Sequence, residues 1–263
     1  MTASRCLLIA AAMTLLVAIA ADAQAPSGIS RPSGERQMSL VQLGRQLFAG
    51  NCSSCHGSDG RGVRTPQGGV GNVRGQGPSL RGVGALAADF YLRTGRMPLE
   101  NPHQQPWRQR TPFSDREVRA LVRFVASLGP GPPIPHPDTK HVNLAAGFRM
   151  FTDHCAGCHQ VAGEGGLVTG ARVPPLDQAT ATQIAQAVRI GPFVMPKFSK
   201  RQISDRDLNA IVAYVLTTQH PHDRGGWGID HLGPFPEGMV TWFLAALMLI
   251  AVCVIIGKRL RSS

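Results

Sequence analysis

Two short stretches carry the side chains best able to do chemistry. Cys52-Ser53-Ser54-Cys55-His56 and Cys155-Ala156-Gly157-Cys158-His159 each set two thiols and an imidazole within five residues. Cys-x-x-Cys-His is the attachment signature for c-type haem: the thiols add to the two vinyl groups, and the histidine that follows binds the iron axially. Three other readings compete. A thioredoxin-like thiol pair would not require the trailing histidine twice. A zinc ribbon pairs its Cys-x-x-Cys elements across about 15 to 20 residues, whereas these stretches begin 103 positions apart. Disulfides form outside the cytoplasm, but pairing within so short a motif is unusual, and the other cysteines, Cys6 and Cys253, lie in apolar ends of the chain. The sequence therefore predicts two covalently bound haem c groups.

A six-coordinate haem needs a second axial ligand, and methionine sulfur is the usual choice in electron carriers because it raises the potential. Met97-Pro98 and Met195-Pro196 each follow a Cys-x-x-Cys-His stretch and precede the last helix of that copy. A methionine is by default an apolar filler, and Met38 and Met150 are read that way. Met97 and Met195 stand out because they occupy equivalent places and because proline fixes the loop behind each sulfur. The expected iron ligands are His56 with Met97 and His159 with Met195. His103, His136, His141, His154, His220, His222 and His231 lie mainly in polar or proline-rich stretches, and only His154 is bound to be near a haem. The glycine-rich run from Gly57 to Gly84 lacks the G-x-x-x-x-G-K pattern and a preceding strand. It reads as a loop passing close to the porphyrin, where missing side chains permit backbone approach.

The elements that position these groups occur twice. Gly44, Phe48 and Cys52 recur as Gly147, Phe151 and Cys155, each 103 positions on. Phe113-Ser114-Asp115-Arg116-Glu117 recurs as Ile203-Ser204-Asp205-Arg206-Asp207 at an offset of 90, so the second copy is 13 residues shorter between haem motif and final helix. Val118, Leu121, Val122 and Val125 match Leu208, Ile211, Val212 and Val215, one buried helical stripe in each copy. Ser114 with Glu117 forms a capping box that starts the first of these helices. Five prolines between Gly129 and Pro137 favour an extended, semi-rigid spacer. Copies of this size are small for a self-sufficient core, and a large apolar cofactor would supply the missing interior.

Two further segments lie outside this repeat. Arg5, the apolar run Leu7 to Ala21 and the small-residue stretch after it describe a signal peptide; a retained anchor, the rival reading, would normally need about 20 apolar residues. Met239 to Gly257 carries no charge, is long enough to cross a bilayer, and is followed by Lys258, Arg259 and Arg261. Basic residues accumulate on the cytoplasmic side, which predicts a single-pass protein of the cell membrane with its body in the periplasm and its C-terminus in the cytoplasm. Cys253 within this span is an apolar filler. Lysine and arginine outnumber aspartate and glutamate 27 to 16. That balance suits an anionic membrane surface or an acidic partner; an exported chain with two tyrosines is not expected to bind nucleic acid.

Each half resembles a class I cytochrome c. The resemblance rests on the Gly44/Phe48 and Gly147/Phe151 helices, the haem motifs, Gly77-Pro78-Ser79-Leu80 and Val173-Pro174-Pro175-Leu176, the Met-Pro pairs and the final helices. It implies that the carbonyls of Pro78 and Pro174 accept a hydrogen bond from the proximal histidines and fix their tautomer. It also implies that the first and last helices of each half cross through a glycine and an aromatic residue, Phe124 and Tyr214 being the matching aromatics. The predicted fold is mainly α: two tandem class I cytochrome c domains plus one C-terminal transmembrane helix. The expected organisation is a signal peptide at 1–25, domains at 38–129 and 140–222 joined by a linker at 130–139, a juxtamembrane segment at 223–238, the span at 239–257 and a basic tail at 258–263.

Taken whole, the chain resembles the dihaem cytochrome c subunit of actinobacterial-type cytochrome bcc complexes, most specifically through Gly225-Gly226-Trp227-Gly228 and Gly233-Pro234-Phe235-Pro236-Glu237-Gly238. A signal that looks cleavable is a departure, since its retention would add a second anchor. The resemblance implies an electron-transfer subunit of a quinol:cytochrome c oxidoreductase, not catalytic alone. Its implied partners are a cytochrome b subunit, a Rieske iron–sulfur subunit and the copper-containing subunit of a terminal oxidase. A free-standing anchored dihaem carrier is the alternative. A dihaem enzyme such as a peroxidase is disfavoured by the two matched Met-Pro pairs, because it needs an exchangeable iron position.

Overall fold

The structure, a computed structural model, describes residues 28–63, 77–99, 105–219 and 234–261. The expected signal peptide, His103, His220, His222, His231 and most of the juxtamembrane segment lie outside the described residues. The described chain is mainly helical, with helices α1 (Leu40–Asn51), α2 (Ser53–His56), α3 (Gly84–Arg93), α4 (Asp115–Ser127), α5 (Leu144–His154), α6 (Ala156–His159), α7 (Ala181–Ile190), α8 (Asp205–Gln219) and α9 (Pro234–Arg261). A two-stranded antiparallel hairpin, β1 (Gly166–Val168) and β2 (Ala171–Val173), pairs Gly166 with Val173 and Leu167 with Arg172. The chain forms two compact units. Of the described residues, one comprises those up to Asp138 together with Ala181–Asp205; the other comprises Thr139–Thr180 and those from Arg206 onward.

In the first unit, α4 starts as its sequence requires. The Ser114 hydroxyl accepts from the Glu117 N–H, and the Glu117 carboxylate accepts from the Ser114 N–H at 2.6 Å. A second box starts α1, where Ser39 and Gln42 exchange the same pair of bonds. The apolar stripes of α1 and α4 bury Leu43, Leu47, Phe48, Leu121, Phe124 and Val125 against each other. Phe48 and Phe124 meet at 5.1 Å between ring centroids. At the crossing, Gly44 lies so close to the Ala120 carbonyl that no Cβ would fit. In the second unit, Gly147 meets Ala210 in the same way, with Phe151 and Tyr214 rings 5.3 Å apart. The expected glycine and aromatic crossing is present in both halves.

Two features of the first unit extend what the repeat foretold. The proline-rich tract does not hang free at its start: the Pro132 carbonyl accepts from the Leu86 N–H, one of the unpaired donors at the start of α3. Helix α7 packs on α3, where the fully buried Gln186 donates to Asp89 Oδ2 at 2.9 Å; the same aspartate accepts from Arg93 Nε at 2.7 Å.

The N-terminal segment is strapped to the first unit. Arg31 donates to Glu117 at 2.7 Å and to the Pro112 carbonyl at 2.9 Å, while Ser30 and Asn51 exchange two further bonds. Burial pushes the Glu117 pKa up, but the bonds from Arg31 and Ser114 outweigh it and hold the carboxyl below its ordinary value. Replacing Arg31 with alanine leaves a buried carboxylate short of a donor and is expected to cost about 2 kcal/mol at neutral pH. A carboxyl with a lowered folded pKa stabilises above the ordinary carboxylate range, and that contribution is lost as pH falls through the folded pKa. Thermal unfolding should therefore separate wild type from Arg31→Ala at neutral pH and bring them together in strong acid.

The C-terminal helix α9 is long and apolar enough between Gly238 and Arg261 to cross a membrane, and none of that stretch is buried inside the protein. This contrasts with a core helix of a soluble domain. Cys253 and the apolar side chains around it are exposed, which suits a lipid environment.

Candidate functional site

Each haem motif is displayed by one helical turn. Helix α1 ends where the Cys52 N–H bonds the Phe48 carbonyl; the chain turns, and the Cys55 and His56 N–H groups both bond back to the Cys52 carbonyl. The two thiols and the imidazole therefore project from a single turn. In the second copy Cys155 bonds Phe151, and Cys158 and His159 bond Cys155.

A glycine cradle holds the turn from behind. The Gly62 N–H bonds the His56 carbonyl at 2.8 Å, the Gly77 N–H bonds Cys55, and the Leu80 N–H bonds Gly60. A Cβ on Gly62, whose φ is +80°, would come within 2.8 Å of Pro78. The second copy repeats this with Gly165 (φ +74°), whose Cβ would come within 2.7 Å of Pro174, and with Leu176 bonded to Gly163. Gly60 and Gly62 stand 103 positions before Gly163 and Gly165, a repeat that sequence reading could have used to find the cradle.

The His56 imidazole is held in the tautomer that an axial iron ligand would need. His56 Nδ1 lies 2.8 Å from the Pro78 carbonyl. A carbonyl only accepts, so Nδ1 carries the proton and Nε2 keeps its lone pair. His159 makes the looser version. Its buried Nδ1 has no partner of strict hydrogen-bond geometry, although the Pro174 carbonyl is near enough to favour the charged ring. Burial outweighs that contact and lowers the His159 pKa, keeping the ring neutral. Where the first copy uses Gly57 at positive φ, the second places Gln160 at φ +60°, held by its amide on the Gly165 carbonyl at 2.7 Å.

Cys52, Cys55, Cys155 and Cys158 form no disulfide with one another. Burial, reinforced by Cys55, pushes Cys52 up to about 12, and burial with Cys158 pushes Cys155 to about 11. A reactive thiol–disulfide pair shows the opposite shift, so these thiols do not have the character of a redox-exchange pair. Among the described residues no group of three His, Cys, Asp or Glu could hold a free metal ion. Thiols not paired with one another, a tautomer-fixed imidazole and a cradle without side chains together fit a covalently attached haem.

Met97 follows α3 in a loop whose Arg96 and Met97 N–H groups bond the Tyr91 carbonyl, and its side chain packs half-buried against the α1–α4 core. Met195 follows α7 in the equivalent place, half-buried, its N–H on the Pro192 carbonyl. The two loops differ in cover. The Gln109 backbone lies against Gly95 in the first, while Phe193 and Val194 are each 54% exposed in the second. Met38 packs against the core, as its reading as filler requires.

Fold and site together define a c-type cytochrome with two cytochrome c domains. Comparison with known proteins agrees: the family profile "Cytochrome c" matches residues 41–129, and "Cytochrome C oxidase, cbb3-type, subunit III" matches residues 142–215. Over 263 aligned residues the chain is 32% identical to the cytochrome bc1 complex cytochrome c subunit of Corynebacterium diphtheriae, covering 93% of this chain and 88% of that one. It is 35% identical to the same subunit of Mycobacterium tuberculosis, covering 86% of this chain and 80% of that one. The chain belongs to the family of cytochrome bc1 complex cytochrome c subunits. A cbb3-type cytochrome c oxidase subunit FixP of Rhizobium meliloti is 37% identical, but over only 39% of this chain and 32% of its own length.

Proposed function

We propose that this chain carries two haems c and passes electrons from a Rieske iron–sulfur protein toward the copper-containing subunit of a terminal oxidase, as the cytochrome c subunit of a quinol:cytochrome c reductase. Cys52 and Cys55, and Cys155 and Cys158, hold the two groups. His56 and Met97 bind the first iron, and His159 and Met195 the second. The haem, when bound, supplies a one-electron iron couple. The protein's own part is to fix that couple in place. The hydrogen bond from His56 to Pro78 orients the ring and raises the basicity of Nε2, and a thioether opposite it raises the potential. Quinol oxidation falls to partner subunits, so the chain is not catalytic alone. Helix α9 anchors it, with the haem domains on the periplasmic side and the basic end of the helix in the cytoplasm.

The observation that carries this reading is the near end-to-end relationship to bc1-complex subunits. The similarity to an oxidase subunit covers only 39% of this chain, which speaks for a shared module rather than a shared complex. Gentle detergent extraction should bring down a cytochrome b and a Rieske protein with this chain, and a pyridine haemochrome assay should give two haems c per chain. Recovery of the chain with two haems but neither partner would favour a free-standing carrier. Ready carbon monoxide binding at one reduced haem would point to an enzyme.

A further inference from the structure

The first methionine loop contains a cation with no counter-ion among the described residues. Arg96, immediately before Met97, lies over the Phe90 ring at 5.3 Å, and its Nη1 is buried without a hydrogen-bond partner. The Arg108 guanidinium is close enough to repel it, and the Tyr91 phenol lies beside it. Arg108 itself is positioned by donating to Gln183 of α7 at 3.0 Å. Among the described residues, the buried carboxylate nearest in sequence, Asp89, is occupied by Arg93 and Gln186. A guanidinium stays charged at any pH a protein experiences, and a buried charged donor left unpaired is costly. Two arginines and a phenol beside the Met97 loop, with no carboxylate among the described residues bonded to Arg96, describe a receptor for an anion.

We propose that Arg96, supported by Arg108, binds a carboxylate of the first haem, one of its propionates, and thereby sets that haem's potential apart from the second. This rests on the haem assignment made above. The second copy has Val194 in the place of Arg96, and it is exposed, so the device belongs to one haem only. A fixed positive charge beside a haem disfavours the ferric state, so removing it lowers the potential.

The test uses the full-length protein in detergent, with haem labelled with ¹³C at the propionate carboxyls, in wild type, Arg96→Met and Arg96→Lys. The first haem is identified by its absence from a Cys52→Ala/Cys55→Ala chain. Arg96→Met is expected to shift the redox equilibrium of the first haem at least about tenfold toward ferric, a fall of ~59 mV for one electron. The second haem should not move, and Arg96→Lys should recover more than half of the fall. In redox-difference infrared spectra the labelled carboxylate bands should differ between wild type and Arg96→Lys. The proposal is overturned if Arg96→Met keeps both haems and both potentials, or if the labelled bands are the same in wild type and Arg96→Lys. It is also overturned if added acetate, rather than the labelled groups, accounts for the effect. Should Arg96→Met fail to retain haem, the infrared comparison with Arg96→Lys decides alone. A wild-type chain lacking haem at Cys52 and Cys55 would instead overturn the haem assignment, and peptide mass spectrometry distinguishes that failure from this one.

Discussion

Met97→His is expected to lower the midpoint potential of one haem by on the order of 0.2 V, a fraction of the ~0.8 V range that axial ligands span, and to leave the other haem where it was. A thioether is a weak donor to ferric iron and favours the reduced state, whereas a second imidazole stabilises the oxidised one. The loop bearing Met97 is held to the end of α3 by two bonds to the Tyr91 carbonyl, and its side chain already packs half-buried against the core. The substitution should therefore change the ligand without dismantling the loop. Met195→His should do the same to the other haem. Potentiometric titration resolves the two steps, and loss of the methionine-to-iron charge-transfer band reports ligand exchange directly. If either variant left both potentials in place, the corresponding methionine would not be a ligand.

The second large effect concerns stability. Gly44→Ala should destabilise the first unit by about 3 kcal/mol, at the upper end of what overpacking costs, even though alanine is the better helix former by roughly 1 kcal/mol. The steric cost wins because the obstacle is backbone. The new Cβ would lie within 2.6 Å of the Ala120 carbonyl carbon and 2.8 Å of Phe124 Cβ, and helices α1 and α4 cannot separate without opening the core that Phe48 and Phe124 close. Gly147→Ala should behave alike against Ala210 and Tyr214. Gly157 provides the control. It lies inside the second haem motif, yet nothing stands within 4 Å of its added Cβ, and the first copy has Ser54 there. Gly157→Ala should be neutral within about 0.5 kcal/mol. Denaturant titrations of the four chains check the ranking.

Much of this was legible in the sequence, because the informative residues answer to local rules. The capping box of Ser114 and Glu117 and the valine and leucine stripe of α4 each follow from spacing alone, while the glycine crossing at Gly44 was implied by family resemblance. The pairing of His56 with Pro78 was implied by family resemblance, and the geometry shows it. Other features depend on contacts made at long range. Helices α3 and α7 carry no spacing signal as clear as that of α4, and the bond from Gln186 to Asp89 joins residues almost a hundred positions apart. The hairpin at Gly166–Val173 occupies a stretch in which the sequence suggests no element; two three-residue strands are too short to leave an alternating pattern. Arg96 was visible only as a neighbour of Met97. The absence of a counter-ion among the described residues around it is a property of the folded surroundings, which no linear pattern records.

The packing of α7 on α3 bears on the history of the chain. A gene segment copied in tandem ordinarily keeps its modularity, and either copy can be lost, shuffled or grafted elsewhere. Here the later copy has lent a helix to the compact unit built by the earlier one, and Asp89, 4% exposed, has come to rely on an amide from that helix. A polypeptide ended at Asp138 would uncover that carboxylate and leave it to Arg93 and water. The dependence runs one way: the earlier copy is whole only with residues encoded by the later one.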